Sequence, residues 1–61
     1  MLTDKQTLEL QLQHENNTIA FYNLVLQGIP AGTLGHQRAT DARQWSVERR
    51  DSLMAELRDY E

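Results

Sequence analysis

The chain has 61 residues, two histidines, no cysteine and a net charge of −3. A chain this short buries only about 60% of the surface that its unfolded form exposes, so it forms one small domain that needs additional support. The lack of cysteine excludes disulfide bonds and, with only two histidines, argues against a structural metal, which leaves association with another chain as the expected support.

The first predicted element is a long helix over about residues 3–27. Thr3 and Gln6 have the spacing of a capping box, and neither Gly nor Pro follows until Gly28. Seam positions then recur at alternating steps of four and three, all apolar except the one occupied by Glu15, which is the spacing of a coiled-coil seam. We expect the residues of this seam to pack within the chain against a second helix: Leu8, Leu12, Ile19, Tyr22 and Leu26.

A turn is predicted over residues 28–33. Gly28 suits the left-handed conformation that closes many helices, and Pro30 prevents the helix from continuing. Ile29 could then fold back onto Leu24, as apolar residues beyond a helix end often do.

The second helix is predicted over about residues 34–60. Thr33 is the natural cap, although Gly35 weakens the first turn and Thr40 is an alternative start. No helix breaker follows. The face of this helix that packs on the first is expected to comprise Ala42, Trp45, Arg49, Leu53, Leu57 and Tyr60.

These elements predict an all-α fold, with residues 1–61 forming one antiparallel two-helix hairpin. Folding the chain near residue 32 sets Leu8 opposite Leu57 and the polar Glu15 opposite Arg49. We predict that the Glu15–Arg49 pair fixes the register of the hairpin, as buried polar pairs do in some helical bundles. The alternative is that both charges are solvated at the edge of the seam.

Both helices also carry apolar residues outside this seam. A contiguous patch of such residues is rare on soluble monomers, and burial of each large side chain contributes about 1.5–3 kcal/mol. We therefore expect a two-fold dimer that forms a four-helix assembly with the weakly charged first helix at its centre, and a hetero-complex is the alternative. The predicted dimer or partner interface consists of Leu10, Phe21, Leu24, Val25, Val47 and Met54.

The sequence gives no pattern typical of catalysis. Ser46 and Ser52 have no histidine near them in the chain, and His14 and His36 belong to no metal-binding motif. We expect no enzyme activity, no catalytic residues, no cofactor and no metal site. The expected function is a non-enzymatic protein–protein interaction module.

Nucleic-acid binding is the alternative function. The five arginines of the second helix alternate with acidic residues, so they form no continuous basic stripe for phosphates. The plasmid RNA-binding regulator Rop, an acidic helical-hairpin dimer of similar length, is an architectural precedent for a small RNA- or DNA-binding regulator. Comparable polar residues in the first helix are Lys5, Gln6, Gln13, Asn16, Asn17 and Asn23.

The expected location is the cytoplasm. Isolated leucines near the N-terminus form no apolar run of an export signal, no segment has the roughly 18 apolar residues of a membrane span, and no basic amphipathic face for membrane binding is present.

Residues 7–14, 28–32 and 45–50 give the chain a general character that resembles one group of phage proteins. These are the small accessory proteins that lambdoid bacteriophages encode in the early region between the exonuclease and excisionase genes. The resemblance extends over the whole chain. It implies a modulator of host physiology, or of the choice between lysis and lysogeny, that acts through host proteins in the bacterial cytoplasm. It assigns no functional residues.

Overall fold

The computed structural model describes all 61 residues as two helices, α1 (Asp4–Gly28) and α2 (Leu34–Arg58), and contains no strand. The helices pack on each other as an antiparallel hairpin, which confirms the predicted fold class. The molecule measures 42 × 19 × 14 Å. Because a helix with its side chains is about 10–12 Å wide, the hairpin is a single layer with no second layer behind it.

The start of α1 is the capping box that the sequence predicts. The Gln6 amide N–H donates to the Thr3 hydroxyl at 3.1 Å, and the Thr3 amide N–H donates to the Gln6 side-chain oxygen at 2.9 Å. Two backbone donors that the first turn leaves unpaired are thereby satisfied. Asp4 adds a negative charge at the positive end of the helix dipole.

The end of α1 differs from the prediction. Gly28 remains helical, and the residue with a positive φ is Gly32, at 88°. Ile29 leaves the helix in an extended conformation, with φ −109° and ψ 130°. The physical reason is Pro30, whose ring disfavours the helical conformation of the residue before it. The predicted left-handed closure at Gly28 is therefore wrong.

The start of α2 is set by Thr33. Its hydroxyl accepts from the His36 amide N–H at 3.2 Å, and its carbonyl accepts from the Gln37 amide N–H at 3.1 Å. Thr40 lies inside the helix, where its hydroxyl donates to the His36 carbonyl at 2.9 Å, so it is not the start. The helix ends at Arg58, two residues before the predicted end.

The interface between the helices is small, with five buried residues in the whole chain: Glu15, Ile19, Ala39, Ser46 and Leu53. On α1 the predicted seam faces α2, since Ile19 is buried and the other four members are half-buried. On α2 three of these residues are seven apart, and two of them, Ala39 and Ser46, are small. Small side chains let α2 approach the larger residues of α1 closely.

The predicted placement of Trp45 in this seam is wrong. Its side chain is 61% exposed, whereas the next residue, Ser46, is buried. One residue corresponds to about 100° around a helix. Near Trp45, the face of α2 that contacts α1 is therefore rotated by that angle from the face that the sequence predicts. An indole at the position of Ser46 would hold the helices apart. Tyr60 is also exposed, while Leu57 and Ala42 are half-buried.

Candidate interaction surface

Two polar contacts join the helices and mark their register. The Arg49 guanidinium Nε donates to Oε1 of the buried Glu15 carboxylate at 3.1 Å. Further along the hairpin, Arg43 Nε donates to the Asn23 side-chain oxygen at 2.6 Å. The predicted Glu15–Arg49 contact is thus present. That this contact determines the register remains a prediction.

Arg49 also contacts an aromatic ring. Its guanidinium carbon lies 5.1 Å from the centroid of the Trp45 ring, within the range of a cation–π interaction. Glu15, Arg49 and Trp45 therefore form one cluster that leads from a buried carboxylate to an exposed indole. We refer to these three residues as the Trp45 cluster. The spacing of four between Trp45 and Arg49 is the sequence signal for this stacking, because residues four apart are neighbours on a helix surface.

The Trp45 cluster borders an open groove between the two helices, with a volume of about 380 Å³. Gln11 of α1 and Trp45 and Arg49 of α2 line it. We refer to this side of the hairpin as the groove face. The opposite side carries the Asn23–Arg43 hydrogen bond, and we refer to it as the Asn23 face.

Three of the six predicted interface residues lie on these two faces. Val47 follows Arg43 by one helical turn, so it lies on the Asn23 face with Met54, seven residues further on. Val25 is two residues from Asn23, about 200° around α1, and lies on the groove face. The six predicted residues consequently do not form one contiguous patch on the hairpin.

A separate apolar stripe lies on the side of α1 that points away from α2. Leu10, Phe21 and Leu24 are 51%, 60% and 68% exposed. His14 and Asn17 complete a series whose members are alternately four and three residues apart, and all five are exposed. We refer to these five residues as the outer stripe. The predicted interface included its three apolar members and left out the two polar residues between them, which have the same heptad spacing.

The remaining polar groups converge on no further site. The structure contains no group of three or more His, Cys, Asp or Glu side chains that could hold a metal ion, and neither helix is long and apolar enough to cross a membrane. Three arginines are paired with protein oxygen atoms, two as described above and Arg50 with the adjacent Asp51 at 3.2 Å.

Comparison with known proteins gave no match, since no family model, no curated protein and no solved structure is significantly similar to this chain.

Proposed function

We propose that this protein is a non-enzymatic protein–protein interaction module that self-associates as a homodimer and presents the groove face to a further protein. The observation that carries the proposal is the exposure of large apolar side chains on rigid helices. Leu10, Phe21, Leu24 and Trp45 are each at least half exposed in a hairpin one helix thick. All four of these residues lie within the two helices.

Self-association is favoured by the energy of covering these side chains. Burial of a Leu or Phe side chain contributes about 1.5–3 kcal/mol, and small domains have a stability of only about 5–15 kcal/mol. Five buried residues provide a limited core for a single chain. Burial of Leu10, Phe21 and Leu24 between two copies would therefore supply a large share of the total stability.

The Trp45 cluster supports binding of a second, different protein. Tryptophan and arginine are enriched among the residues that contribute most to protein–protein binding. Here the buried Glu15 holds the Arg49 guanidinium, and the guanidinium stacks on the indole, so the exposed ring is oriented before any partner arrives. Such preorganisation lowers the entropy cost of binding.

The resemblance to small early phage proteins suggests what this partner is. A module of this kind would bind a host protein in the bacterial cytoplasm and alter host physiology or phage development. The nucleic-acid alternative has less support, because three of the five arginines already pair with protein oxygen atoms.

A pull-down from a bacterial host lysate tests the proposed partner surface. The tagged wild-type chain is compared with Trp45→Ala and with a matched control, Met54→Ala, which removes an exposed apolar side chain from the Asn23 face. We expect one host protein to be captured by the wild type and by the control, to be lost with Trp45→Ala, and to be unaffected by nuclease. Equal capture by all three chains would contradict the role of the groove face, and capture that nuclease abolishes would favour a nucleic-acid ligand.

A further inference from the structure

We infer that the second copy docks on the outer stripe of α1, with the two α1 helices antiparallel and Leu10 of one copy against the partner's Phe21. The inference rests on the proposed self-association and adds the face, the direction and the register of the contact.

The outer stripe has the geometry of a seam between two paired helices. Its five members, Leu10, His14, Asn17, Phe21 and Leu24, follow one another at alternating steps of four and three, which keeps them on one side of a helix that pairs with another helix. The residues of α1 that face α2 lie on the other side, where Glu15 and Ile19 are buried. The helix α1 therefore has two seams on roughly opposite sides, and α2 covers one of them.

Charged residues are distributed unevenly between the two helices. From Gln6 to Gly28, α1 carries two charged residues, Glu9 and Glu15, and Glu15 is buried against α2. None of the five members of the outer stripe is an acidic residue, lysine or arginine, and the one charged residue beside it is Glu9 at its Leu10 end, whereas α2 carries nine charged residues. Two copies, each with a net charge of −3, repel one another, and this stripe lets them approach with few like charges near the contact.

The positions of Leu10 and Phe21 in α1 define the register of the two α1 helices. Leu10 and Phe21 are equally distant from the point midway between residues 15 and 16, and the midpoint of α1 is residue 16. Antiparallel α1 helices that overlap over nearly their whole length, about 37 Å, thus bring each Leu10 to the partner's Phe21. The same register brings His14 to the partner's Asn17, so the polar residues of the stripe meet at the two-fold axis. Antiparallel packing also sets opposite ends of the helix dipoles side by side.

The accessible surface area of the hairpin also favours a second copy. The hairpin exposes 4735 Å². A compact monomer of 7.1 kDa exposes about 4,100 Å², so this chain has roughly 600 Å² more surface than a compact monomer of its mass. Stable dimers bury about 800 Å² per partner, and the excess approaches that area.

Cysteine cross-linking tests the face, the direction and the register together, and the absence of native cysteine makes the test clean. The variant carries Leu10→Cys and Phe21→Cys, both at exposed positions where substitution leaves the hairpin core intact. A short bismaleimide is added, and the products are separated on a denaturing gel. The matched control carries Val47→Cys and Met54→Cys, seven residues apart on the Asn23 face. Circular dichroism verifies that every variant is helical.

We expect the Leu10→Cys/Phe21→Cys chain to become a covalent dimer and the control to remain a monomer. Each single variant, Leu10→Cys or Phe21→Cys, should also remain a monomer, because in the antiparallel register the two equivalent cysteines are about 16 Å apart along the helix axis. Cross-linking of the single variants would show a parallel pair and overturn the inferred direction. Cross-linking of the control alone would overturn the inferred face.

Sedimentation of the wild-type chain separates this inference from the proposed function. The reduced Leu10→Cys/Phe21→Cys chain is sedimented beside the wild type, because both substitutions remove apolar side chains from the outer stripe. If both chains sediment as dimers and the variant does not cross-link, the dimer uses another face or register and only the inference fails. If this variant alone sediments as a monomer while the Val47→Cys/Met54→Cys control remains a dimer, the contact lies on the outer stripe as inferred. If the wild type sediments as a folded monomer at all concentrations, the proposed homodimer and the inference both fail.

Discussion

Glu15 is a buried carboxylate whose charge is balanced from the other helix. Its residue is 6% exposed, and its partner Arg49 retains about half of its side-chain exposure. The two ends of this ion pair therefore have unequal consequences when they are removed. Without Glu15, the guanidinium can turn to water, whereas without Arg49 the carboxylate stays buried and loses its hydrogen bond.

We predict that Arg49→Ala lowers the free energy of unfolding by about 2–3 kcal/mol, which is less than the loss of about 3–5 kcal/mol for a fully buried pair because the Arg49 side chain is half exposed. The matched control is Arg50→Ala, which removes a neighbouring arginine whose pair with Asp51 is exposed and is expected to contribute less than about 0.5 kcal/mol. Urea denaturation at neutral pH and constant protein concentration measures both values. Equal losses would show that the Glu15–Arg49 pair behaves as an ordinary surface pair.

The proposed role of Glu15 in the register has its own test. Glu15→Leu replaces the buried polar contact with an apolar one that fits several helix alignments. We expect more than one set of amide resonances in the NMR spectrum of this variant. A single, well-dispersed set together with a higher free energy of unfolding would contradict the role in the register.

Gly28 and Gly32, at the two ends of the turn, allow a second comparison between matched variants. Gly32 has a φ of 88°, and a Cβ added there meets no atom within 4 Å, so Gly32→Ala introduces backbone strain without a clash. We predict a loss of about 1–2 kcal/mol for Gly32→Ala and a gain of up to about 1 kcal/mol for Gly28→Ala, which is helical and equally unobstructed. Thermal unfolding of the two variants side by side measures the difference. A destabilised Gly28→Ala chain would contradict the helical end of α1.

At the scale of the helices, the start of α1 was predictable, whereas the start of α2 and the end of α1 were predictable only in part. A cap depends on residues within three positions of one another, so Thr3 with Gln6 could be identified from the sequence, while Gly35 left Thr40 as an alternative to the observed cap Thr33. At the end of α1, Gly28 and Pro30 both signal termination, and the local pattern does not show which signal acts first. The structure shows that the conformation forced by Pro30 prevails.

The inward face of α2 could be predicted only in part from hydrophobicity, which identified Leu53 and Leu57 correctly. A ranking by apolar character selects Trp45, but the contact selects Ala39 and Ser46, because their small volume complements the large side chains of α1. That complementarity depends on both helices at once. The α1 seam was easier to predict, since its members are the large apolar residues themselves.

Asn17 provides a prediction for α1 as an element of the proposed dimer. In the inferred register it meets the partner's His14, and a polar residue in such a seam reduces affinity while it selects the orientation. We predict that Asn17→Leu lowers the dimer Kd by at least about tenfold, equivalent to about 1.4 kcal/mol. In a chain that carries both Asn17→Leu and Leu10→Cys, the two equivalent cysteines of a dimer should also cross-link, because a parallel form appears.

The matched control for Asn17→Leu is the adjacent residue. Asn16 is also exposed, but it lies about 100° around α1, on the side of the Asn23 face. Asn16→Leu should leave the Kd unchanged in sedimentation equilibrium. An equal effect of both substitutions would indicate non-specific hydrophobic association.

The dimensions of the whole molecule differ from those of a compact domain. Its radius of gyration is 14.1 Å, whereas a globular chain of 61 residues has about 10.5 Å. An elongated single layer keeps most of its apolar side chains near water. Its stability should therefore depend on the concentration of the second copy.

We predict that the Tm of the wild-type chain rises by several degrees, roughly 5 °C, when the protein concentration increases a hundredfold, since only the folded state associates. The double variant Leu10→Gln/Leu24→Gln removes two apolar side chains from the outer stripe and should abolish this dependence. Circular dichroism at 222 nm over a concentration series provides the measurement. A constant Tm for the wild type would contradict the coupling of folding to association.

The exposed indole of Trp45 has a practical consequence, because it is the only tryptophan in the chain. Its fluorescence should report on one location, and we expect the red-shifted emission and ready iodide quenching of a solvated ring. Self-association through the outer stripe should leave this emission nearly unchanged, whereas a protein that covers the groove should shift it to the blue and shield it from iodide. One optical signal can thus distinguish the two binding events in the same solution without a label.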